Sequence, residues 1–223
     1  MFVLAIDTSG KHGSVALCHG DAASFAVLGL SAIEGGTYSA RLMPCIADLL
    51  QQAGLSKTQL DGIVVVDGPG SFTGLRVGLS TVKGLCEVLQ KPLAVVSMLE
   101  ALALTYGRDG DTVISVLDAG RGEVYVGEYE VRGGRAELRE QSIVKLDEFV
   151  KQLPQLKNRV FSPFSKISAQ GKAMVTPTEP LQADAVGRIG LKKLLAGNTV
   201  DPATLDANYI RRSDAELFSL PKR

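Results

Sequence analysis

Apolar positions near the start of the chain follow the two-residue alternation and short runs that are typical of β-strands. Three such segments are predicted, at 1–6, 14–18 and 23–28. The segments between them, DTSGKHG and HGDA, are rich in turn-forming residues. Because these connections are so short, the three strands are expected to form an antiparallel meander.

Helical spacing of apolar residues then predicts a helix at 39–53, which ends at Gly54. Continuous β-branched runs at 63–66 and 92–97 predict strands that are buried on both faces. A second helix is predicted between those strands, at 71–89. The first half of the chain therefore has the order β-β-β-α-β-α-β, which indicates a mixed sheet with helices packed on it.

The second half contains shorter elements. Strands are predicted at 113–117, within 118–131, at 136–141 and at 159–161, with a short helix at 147–152. Residues 162–181 are rich in Pro, Ser, Thr and Gly and lack periodicity, so an irregular segment is predicted there. An amphipathic helix is predicted at 183–195.

One pattern occurs twice. In LAIDTSGKHGSVAL and SVLDAGRGEVYVG, a hydrophobic strand ends at an aspartate, Asp7 or Asp118, before a small-residue turn and an alternating strand. The repeat predicts two related lobes, 1–105 and 106–223, each opening with a β-hairpin. This layout resembles the α/β fold of actin-like ATPases and sugar kinases, a ribonuclease H-like architecture, with a mixed sheet in each lobe.

In that fold the two aspartate-bearing turns flank nucleotide phosphates and hold Mg²⁺ through water, for which carboxylates are suitable ligands. The resemblance makes Asp7, Ser9, Arg76 and Asp118 candidates for a nucleotide or phosphate cleft. The alternative is that each aspartate only accepts backbone N–H groups of its own turn. The sequence leaves both interpretations open.

The stretch VVVDGPGSFTGLRVGLSTVKGL, 64–85, has the strand, glycine-rich loop and helix of a phosphate loop. Its spacing matches neither the Walker pattern nor the dinucleotide-binding fingerprint. Pro69 also removes one N–H from the loop. Two interpretations remain: a weak anion site near Arg76, or a tight turn before a helix capped by Ser71 or Thr73.

The helix at 71–89 carries an apolar seam with steps of three and four residues: Phe72, Leu75, Leu79, Val82, Cys86 and Leu89. The helix at 39–53 offers a matching seam through Leu42, Ile46 and Leu49. Such seams are either core or an oligomer surface. Two helix pairs from two subunits would close a four-helix bundle.

Composition bears on three questions: nucleic-acid binding, the redox compartment and membrane segments. Lys plus Arg equals Asp plus Glu at 24 each, so no basic excess supports a large nucleic-acid footprint. The odd number of cysteines, Cys18, Cys45 and Cys86, predicts buried thiols in a reducing compartment. The N-terminus reads as a strand rather than a signal peptide, and the apolar run 93–104 is too short to span a bilayer. A cytoplasmic protein without a membrane segment is expected.

The run DGPGSFTGLRVGLSTVKGL closely resembles the signature of the TsaB (YeaZ) family, and AIDTS, LDAGRGEVY and ANYIRRSDAE resemble other segments of that family. The resemblance implies a non-catalytic subunit in the synthesis of threonylcarbamoyladenosine, a modified base beside the anticodon of tRNAs that read codons beginning with A. It implies pairing with the transferase TsaD through a helical bundle, and contact with the ATPase TsaE. ATP and metal would be used by those partners, tRNA would be met through the complex, and a homodimer is an alternative for the isolated chain.

The resemblance assigns the helix seams to the partner interface, with seven expected contacts: Leu42, Ile46, Leu49, Leu75, Leu79, Val82 and Lys83. On this view Leu79→Glu abolishes pairing while leaving the monomer folded. No catalytic residue and no metal ligand is expected, because the helix at 39–53 has no histidine and only His12 and His19 occur in the chain.

Two enzyme hypotheses remain beside this one. The first is a small-molecule kinase or ATPase of the same fold, with Asp7 and Asp118 at Mg–ATP. The second is a metalloprotease, which has little support because no His-Glu-x-x-His motif is present.

Overall fold

The computed structural model describes residues 1–208 and residue 210. In this part of the chain the strands are β1 Phe2–Asp7, β2 His12–Gly20, β3 Phe25–Glu34, β4 Gly62–Gly68, β5 Leu93–Ser97, β6 Thr112–Gly120, β7 Glu123–Arg132, β8 Arg135–Lys145, β9 Arg159–Ser162 and β10 Val175–Pro177. The α-helices are α1 Tyr38–Gln52, α2 Phe72–Leu89, α3 Met98–Tyr106, α4 Leu146–Gln152, α5 Ser165–Gly171 and α6 Ala183–Leu195.

The first sheet has the strand order β3-β2-β1-β4-β5. Strands β1, β2 and β3 form an antiparallel meander, while β4 pairs parallel to both β1 and β5. The two helices α1 and α2 return the chain between β3 and β4 and between β4 and β5. The order predicted for the first half of the chain is therefore confirmed.

The second sheet repeats the first. Its order is β10-β9-β6-β7-β8, with an antiparallel meander of β6, β7 and β8 and parallel pairs of β6 with β9 and β9 with β10. Read from the meander edge, it has the same connectivity and strand directions as β3-β2-β1-β4-β5. The duplication inferred from the two aspartate-bearing hairpins thus extends to the whole topology of each sheet.

The chain divides into two units. The first contains Met1–Met98 and Leu181–Asn208, and the second contains Leu99–Pro180 together with residue 210. This division differs from the predicted boundary between residues 105 and 106, because α3 belongs almost entirely to the second unit and α6 belongs to the first. Helix α3, which follows β5, thus belongs to the unit of the second sheet, and α6, which follows β10, belongs to the unit of the first sheet.

Helix α6 lies on β1, β2, β4 and β5. A Cβ at Gly187 would lie 2.8 Å from the Sγ of Cys18, and a Cβ at Gly190 would meet the side chain of Val64. These two glycines let the helix backbone approach the sheet. On the other face of the sheet, α1 and α2 enclose a core that includes Leu4, Ile6 and Leu17, each without exposed surface.

The second unit holds two apolar clusters, one under α4 and α5 and one around α3. The first includes Val116, Phe149 and Ile167, and the second includes Leu99 and Phe161. Cys18, Cys45 and Cys86 are all buried free thiols, as their positions in apolar segments predicted.

Two sequence predictions were wrong in detail. Residues 162–181 are not irregular, since they contain α5 and β10; both elements are short, so neither produces enough periodicity to be seen. Helix α3 was not predicted because its apolar residues are nearly continuous and show no one-sided spacing. Most of the segment ANYIRRSDAE, residue 209 and residues 211–216, lies outside the described residues. No described helix combines the length and the apolar character needed to cross a membrane.

A serine of β2 completes the start of α6. The side chain of Gln182 does not cap this helix, and the backbone N–H of Ala183 instead donates to the Oγ of Ser14, at 2.8 Å in a buried position. Ser14→Ala would leave that buried N–H without an acceptor. We expect the free energy of unfolding, measured by urea titration, to fall by about 1–3 kcal/mol.

The matched control is Ser31→Ala on the neighbouring strand β3, where the serine side chain is half-buried. This variant should stay within about 0.5 kcal/mol of the native chain, as surface substitutions usually do. An equal loss in both variants would contradict the capping role of Ser14.

Candidate functional site

The loop between β4 and α2 is a tight turn that ends in a capped helix. Gly68 has φ of +141°, a conformation that side chains with a Cβ rarely adopt, and the Gly68–Pro69 peptide bond is cis. Ser71 is the N-cap residue, and its Oγ accepts the N–H of Gly74 at 3.3 Å. Of the two predicted caps, Ser71 is therefore the one that is used.

The turn after β1 is hydrogen-bonded to itself and to this loop. The Oδ1 of Asp7 accepts both the N–H of Ser9, at 2.8 Å, and the Ser9 hydroxyl, at 2.6 Å. The carbonyl oxygen of Ser9 accepts the N–H of Ser71 at 2.6 Å. One of the free N–H groups at the start of α2 is thus occupied by the chain itself.

Three glycines allow this close approach. A Cβ at Gly70 would collide with the Ser9 carbonyl, a Cβ at Gly74 with the Thr8 carbonyl, and a Cβ at Gly78 with the Thr8 hydroxyl. We call the turn 7–9 together with its contacts on residues 70–78 the turn–helix junction. The glycines at the start of α2 serve the packing of that junction, which favours the tight-turn interpretation of the loop over the anion site.

Tyr38, at the start of α1, fills the remaining space beside the junction. Its side chain is buried, and its hydroxyl donates to the carbonyl oxygen of Gly10 at 2.8 Å. A Cβ at Gly13 would lie 2.7 Å from the Tyr38 ring, and one at Gly74 would lie 3.2 Å from it. Burial, and secondly the charge of Asp7, raise the pKa of Tyr38 to about 12, so the hydroxyl remains a donor at neutral pH.

No role for Tyr38 was predicted from the sequence. The sequence feature that could have indicated a packing role is a large aromatic residue in the first turn of α1, in a chain whose hairpin turn and α2 are both rich in glycine. Such glycines leave a volume that a neighbouring large side chain can fill. Only the structure shows that Tyr38 is the residue that does so.

Asp7 is a buried carboxylate with 3% of its surface exposed. Burial raises its pKa, and the two hydrogen bonds from Ser9 oppose that rise without cancelling it. Asp118, at the corresponding position of the second sheet, is exposed and accepts the N–H of Gly120 at 2.8 Å. The two repeated aspartates thus have different environments.

The candidate cleft residues are distributed as follows. Asp7 and Ser9 are hydrogen-bonded to each other in the first unit, and Asp118 belongs to the second unit. Arg76 lies on the exposed side of α2, where its guanidinium carbon is 3.8 Å from the centroid of the Phe72 ring. A nucleotide cleft formed by these four residues stays a prediction. No group of three or more His, Cys, Asp or Glu side chains among the described residues is arranged to hold a metal ion.

Most of the residues predicted to contact a partner belong to the core of this chain. Those with less than a tenth of their surface exposed are Leu42, Ile46, Leu49, Leu75, Leu79 and Val82. Lys83 is half-buried. As partner contacts they stay predictions, but in the described chain the six apolar side chains stabilise the packing of α1 and α2. Leu79→Glu would consequently put a charge among buried side chains, and we expect the variant to lose stability as a monomer.

The opposite sides of α1 and α2 are open. Exposed residues recur every three or four positions along α2, at Thr73, Arg76, Ser80, Gly84 and Val88, and along α1, at Ala40, Met43, Ala47 and Gln51. We call these nine residues the outer helix surface. Val88 is 73% exposed, and a Cβ at Gly84 would meet no atom within 4 Å. Small side chains on this surface permit a close approach of other helices.

A shallow depression of about 640 Å³ adjoins the C-terminal half of α2. Its charged lining consists of Lys83, Glu87, Lys91 and Asp201. Lys83 thus lies at the border between the outer helix surface and this depression.

The buried Asp7 makes a prediction about stability and pH. Because its pKa in the folded chain is above the ordinary value of about 4, folding favours the protonated form. That contribution to stability is complete below the ordinary pKa and is lost as pH rises through the raised one. Asp7→Asn keeps an oxygen acceptor for Ser9 and removes the charge, so its melting temperature should exceed that of the native chain at pH 7.

The advantage of Asp7→Asn should shrink as the pH is lowered towards 4, measured by circular dichroism melts across that range. Asp118→Asn is the matched control, and since Asp118 is exposed its profile should follow the native one. A variant at Asp7 that is less stable at every pH would show that the ionised carboxylate stabilises the turn.

Comparison with known proteins gives the relatives of the chain. A family model described as TsaD, tRNA N6-adenosine threonylcarbamoyltransferase, matches residues 35–192. The tRNA threonylcarbamoyladenosine biosynthesis protein TsaB of Bacillus subtilis (strain 168) is 38% identical over 138 residues, which are 61% of this chain and 58% of that protein. The match therefore spans little more than half of the length of that relative.

Comparison with solved structures gives the same relatives and also the fold. A protein from Pseudomonas aeruginosa with similarity to peptidase YeaZ has a TM-score of 0.75 at 25% identity, covering 94% of this chain and 99% of its own. The activator of 2-hydroxyisocaproyl-CoA dehydratase from Clostridium difficile has a TM-score of 0.51 at 10% identity, covering 89% of this chain and 97% of its own, and is alike in fold alone. These neighbours, together with two mixed five-stranded sheets, confirm the predicted actin-like α/β fold.

The family model covers well over half of the chain, the sequence relative is a TsaB protein, and the structural neighbour has similarity to YeaZ. The glycine-rich run that first suggested this resemblance is also the run that forms the turn–helix junction. The chain is a member of the TsaD family and, within it, of the TsaB (YeaZ) group.

Proposed function

We propose that this protein is a non-catalytic subunit in the synthesis of threonylcarbamoyladenosine in tRNA, and that it acts by pairing with the transferase TsaD through α1 and α2. The observation that carries the proposal is the outer helix surface on these two helices. Family membership supports the pathway, since the relative from Bacillus subtilis is named for that biosynthesis.

Each of the helices α1 and α2 has one buried side and one exposed side, which supports pairing through the exposed sides. Their inner sides are fixed in the core through Leu42, Leu79 and Val82. Their outer sides combine exposed apolar side chains, Met43 and Val88, with the small residues Ala47 and Gly84. Two helices from a partner could pack on such a surface and complete a four-helix bundle.

The turn–helix junction supports the non-catalytic part of the proposal. A Mg–ATP site at Asp7 needs a carboxylate that can reach the ligand, because Mg²⁺ prefers oxygen ligands. Asp7 is instead 3% exposed, and Ser9 donates two hydrogen bonds to one of its carboxylate oxygens. No observation of comparable weight favours the kinase or ATPase hypothesis. ATP and metal would then be used by TsaD and by the ATPase TsaE.

The expected contact with tRNA and the expected compartment rest on the charge of the chain and on its cysteines. The neutral net charge of the chain favours contact with tRNA through the complex rather than through this subunit. Three buried free thiols support a reducing compartment, for which we propose the cytoplasm.

The proposal predicts the effect of a charge on the outer helix surface. Val88→Glu changes a side chain that is 73% exposed, so the chain should fold as before. In a complex the same carboxylate would be desolvated, and we expect binding to TsaD to weaken by about a hundredfold or more. Isothermal titration of TsaD into the purified variant measures this change.

Met174→Glu is the matched control, because Met174 is also exposed and lies in the second unit. It should bind TsaD as the native chain does. Native affinity in Val88→Glu would remove the outer helix surface from the interface and with it the proposed mode of action.

A further inference from the structure

Cations collect at one end of the second sheet. Strands β6, β8, β9 and β10 begin at this end, and β7 ends there. Four segments of the chain lie at it: 107–111, 132–135, 156–159 and 172–174. They carry two acids and six cations. We call these cations the basic end: Arg108, Arg132, Arg135, Lys157, Arg159 and Lys172.

The opposite end of the same sheet has the reverse balance of charge. Four segments lie there: 118–123, 145–148, 162–166 and 177–180. They carry three cations and five acids. The zero net charge of the chain thus conceals a separation of charge within the second unit, and the basic end is the part of it that suits a polyanion.

The two acids among these segments are used to hold the turns together. The Oδ1 of Asp109 accepts the N–H of Gly133, which joins the segment before β6 to the β7–β8 turn. The Oδ2 of Asp111 accepts the N–H of Arg108 at 3.1 Å and lies 3.4 Å from a guanidinium nitrogen of Arg159. The turns therefore form one connected surface.

Most cations on this surface are not neutralised. Four of them are exposed and have no ion-pair partner within 4.0 Å in the described part of the chain: Arg108, Arg135, Lys157 and Lys172. Arg132 pairs with Glu130 at 3.1 Å, but 81% of its side chain stays exposed. Five of the six cations can therefore reach a ligand in solution.

Two of these arginines lie directly opposite each other. Arg132 ends β7 and Arg135 begins β8, and they pair across a turn of two glycines. Like charges in directly opposite positions destabilise a pair of strands. Glu130 contacts Arg132 and Arg139, so within the described chain Arg135 has no counter-charge of its own. An anion bound at this turn would offset the repulsion.

The length of the basic end favours a row of phosphates over a single phosphate. The strand order puts Arg135 at one edge of the sheet and Lys172 at the other, four strand spacings apart. At about 4.8 Å for each spacing, the row of cations extends for about 19 Å. A single phosphate contacts only part of such a row, whereas the phosphates of a polynucleotide backbone can follow it.

The surroundings of the cations favour a nucleic acid over an acidic protein. Protein interfaces have an apolar core, but the segments 107–111, 132–135 and 156–159 have no exposed large apolar side chain. The fourth segment has one, Met174. A Cβ at Gly110 or at Gly133 would meet no atom within 4 Å, so the surface around the arginines is open to a bulky backbone.

We propose that the basic end contacts the phosphate backbone of tRNA in the complex with TsaD, without reading the sequence of its bases. This inference rests on the proposed function, which supplies the RNA. A neutral chain does not hold tRNA by itself, but the basic end would add a few phosphate contacts to those of the complex. The outer helix surface belongs to the first unit, so the two contacts can be broken separately by substitutions.

Removal of three unpaired cations tests the inference. The variant combines Arg108→Gln, Arg135→Gln and Lys157→Gln, at exposed positions where the fold should tolerate them. A fluorescent transcript of a tRNA that reads a codon beginning with A is titrated with the complex of this chain and TsaD. We expect binding at about 0.1 M salt to weaken by at least about tenfold. The slope of log K against log salt should become shallower by about one for each contact removed.

The matched control combines Lys145→Gln, Lys166→Gln and Lys192→Gln. It changes the net charge by the same amount, at exposed lysines outside the basic end. Its complex should bind the transcript as the native complex does. Equal weakening by both triple variants would overturn the inference, since net charge alone would then explain the loss.

Two other results would also overturn the inference. The first is native affinity for the transcript in the variant at the basic end. The second is binding of polyglutamate that this variant loses while it still binds the transcript, which would assign the surface to an acidic protein. If melting curves show that the triple variant does not fold, Arg132→Gln combined with Lys172→Gln replaces it.

Isothermal titration with TsaD separates this inference from the proposed function. Both triple variants should pair with TsaD as the native chain does. A native chain that does not pair would refute the proposed function, and the isolated chain is then titrated with the transcript at about 20 mM salt. A loss of binding confined to the variant at the basic end would sustain the inference, and equal binding by both variants would overturn it.

Discussion

The hydrogen bond from the Ser71 N–H to the Ser9 carbonyl fixes the position of α2, and much of the first unit depends on it. It ties the turn after β1 to the start of the helix, and the glycines at 70, 74 and 78 give it the necessary space. With the start of α2 held there, its inner side covers the sheet and its outer side faces away from it. A loop that resembles a phosphate grip in sequence is thus a device for packing a helix.

The two sheets share one topology but differ in the polarity of their matched positions. The first aspartate of each repeat ends the opening strand, but Asp7 is enclosed by Tyr38 and the start of α2, whereas Asp118 is exposed. The edge strands differ in the same way, with charges along β8 and apolar residues along β3. In each comparison the residues of the first unit exclude water or leave an apolar surface, and those of the second are solvated.

The sequence predicted the order of strands and long helices because their periodicity is strong and their turns are rich in glycine. It could not assign α6 to the first sheet, since that depends on Gly187 and Gly190 meeting Cys18 and Val64 across long separations in the chain. The seam of α2 was correctly found, but periodicity does not distinguish a side that covers the sheet from a side that meets a partner. Leu79 therefore proved to be core, and the exposed Val88 was not among the predicted partner contacts.

We propose that the turn–helix junction packs a helix and does not hold a nucleotide. Calorimetric titration of Mg–ATP into the purified chain alone tests it most directly. We expect no binding heat up to millimolar nucleotide, which corresponds to a binding free energy weaker than about −4 kcal/mol. Micromolar binding, about −8 kcal/mol, that disappears in Asp7→Asn would contradict it.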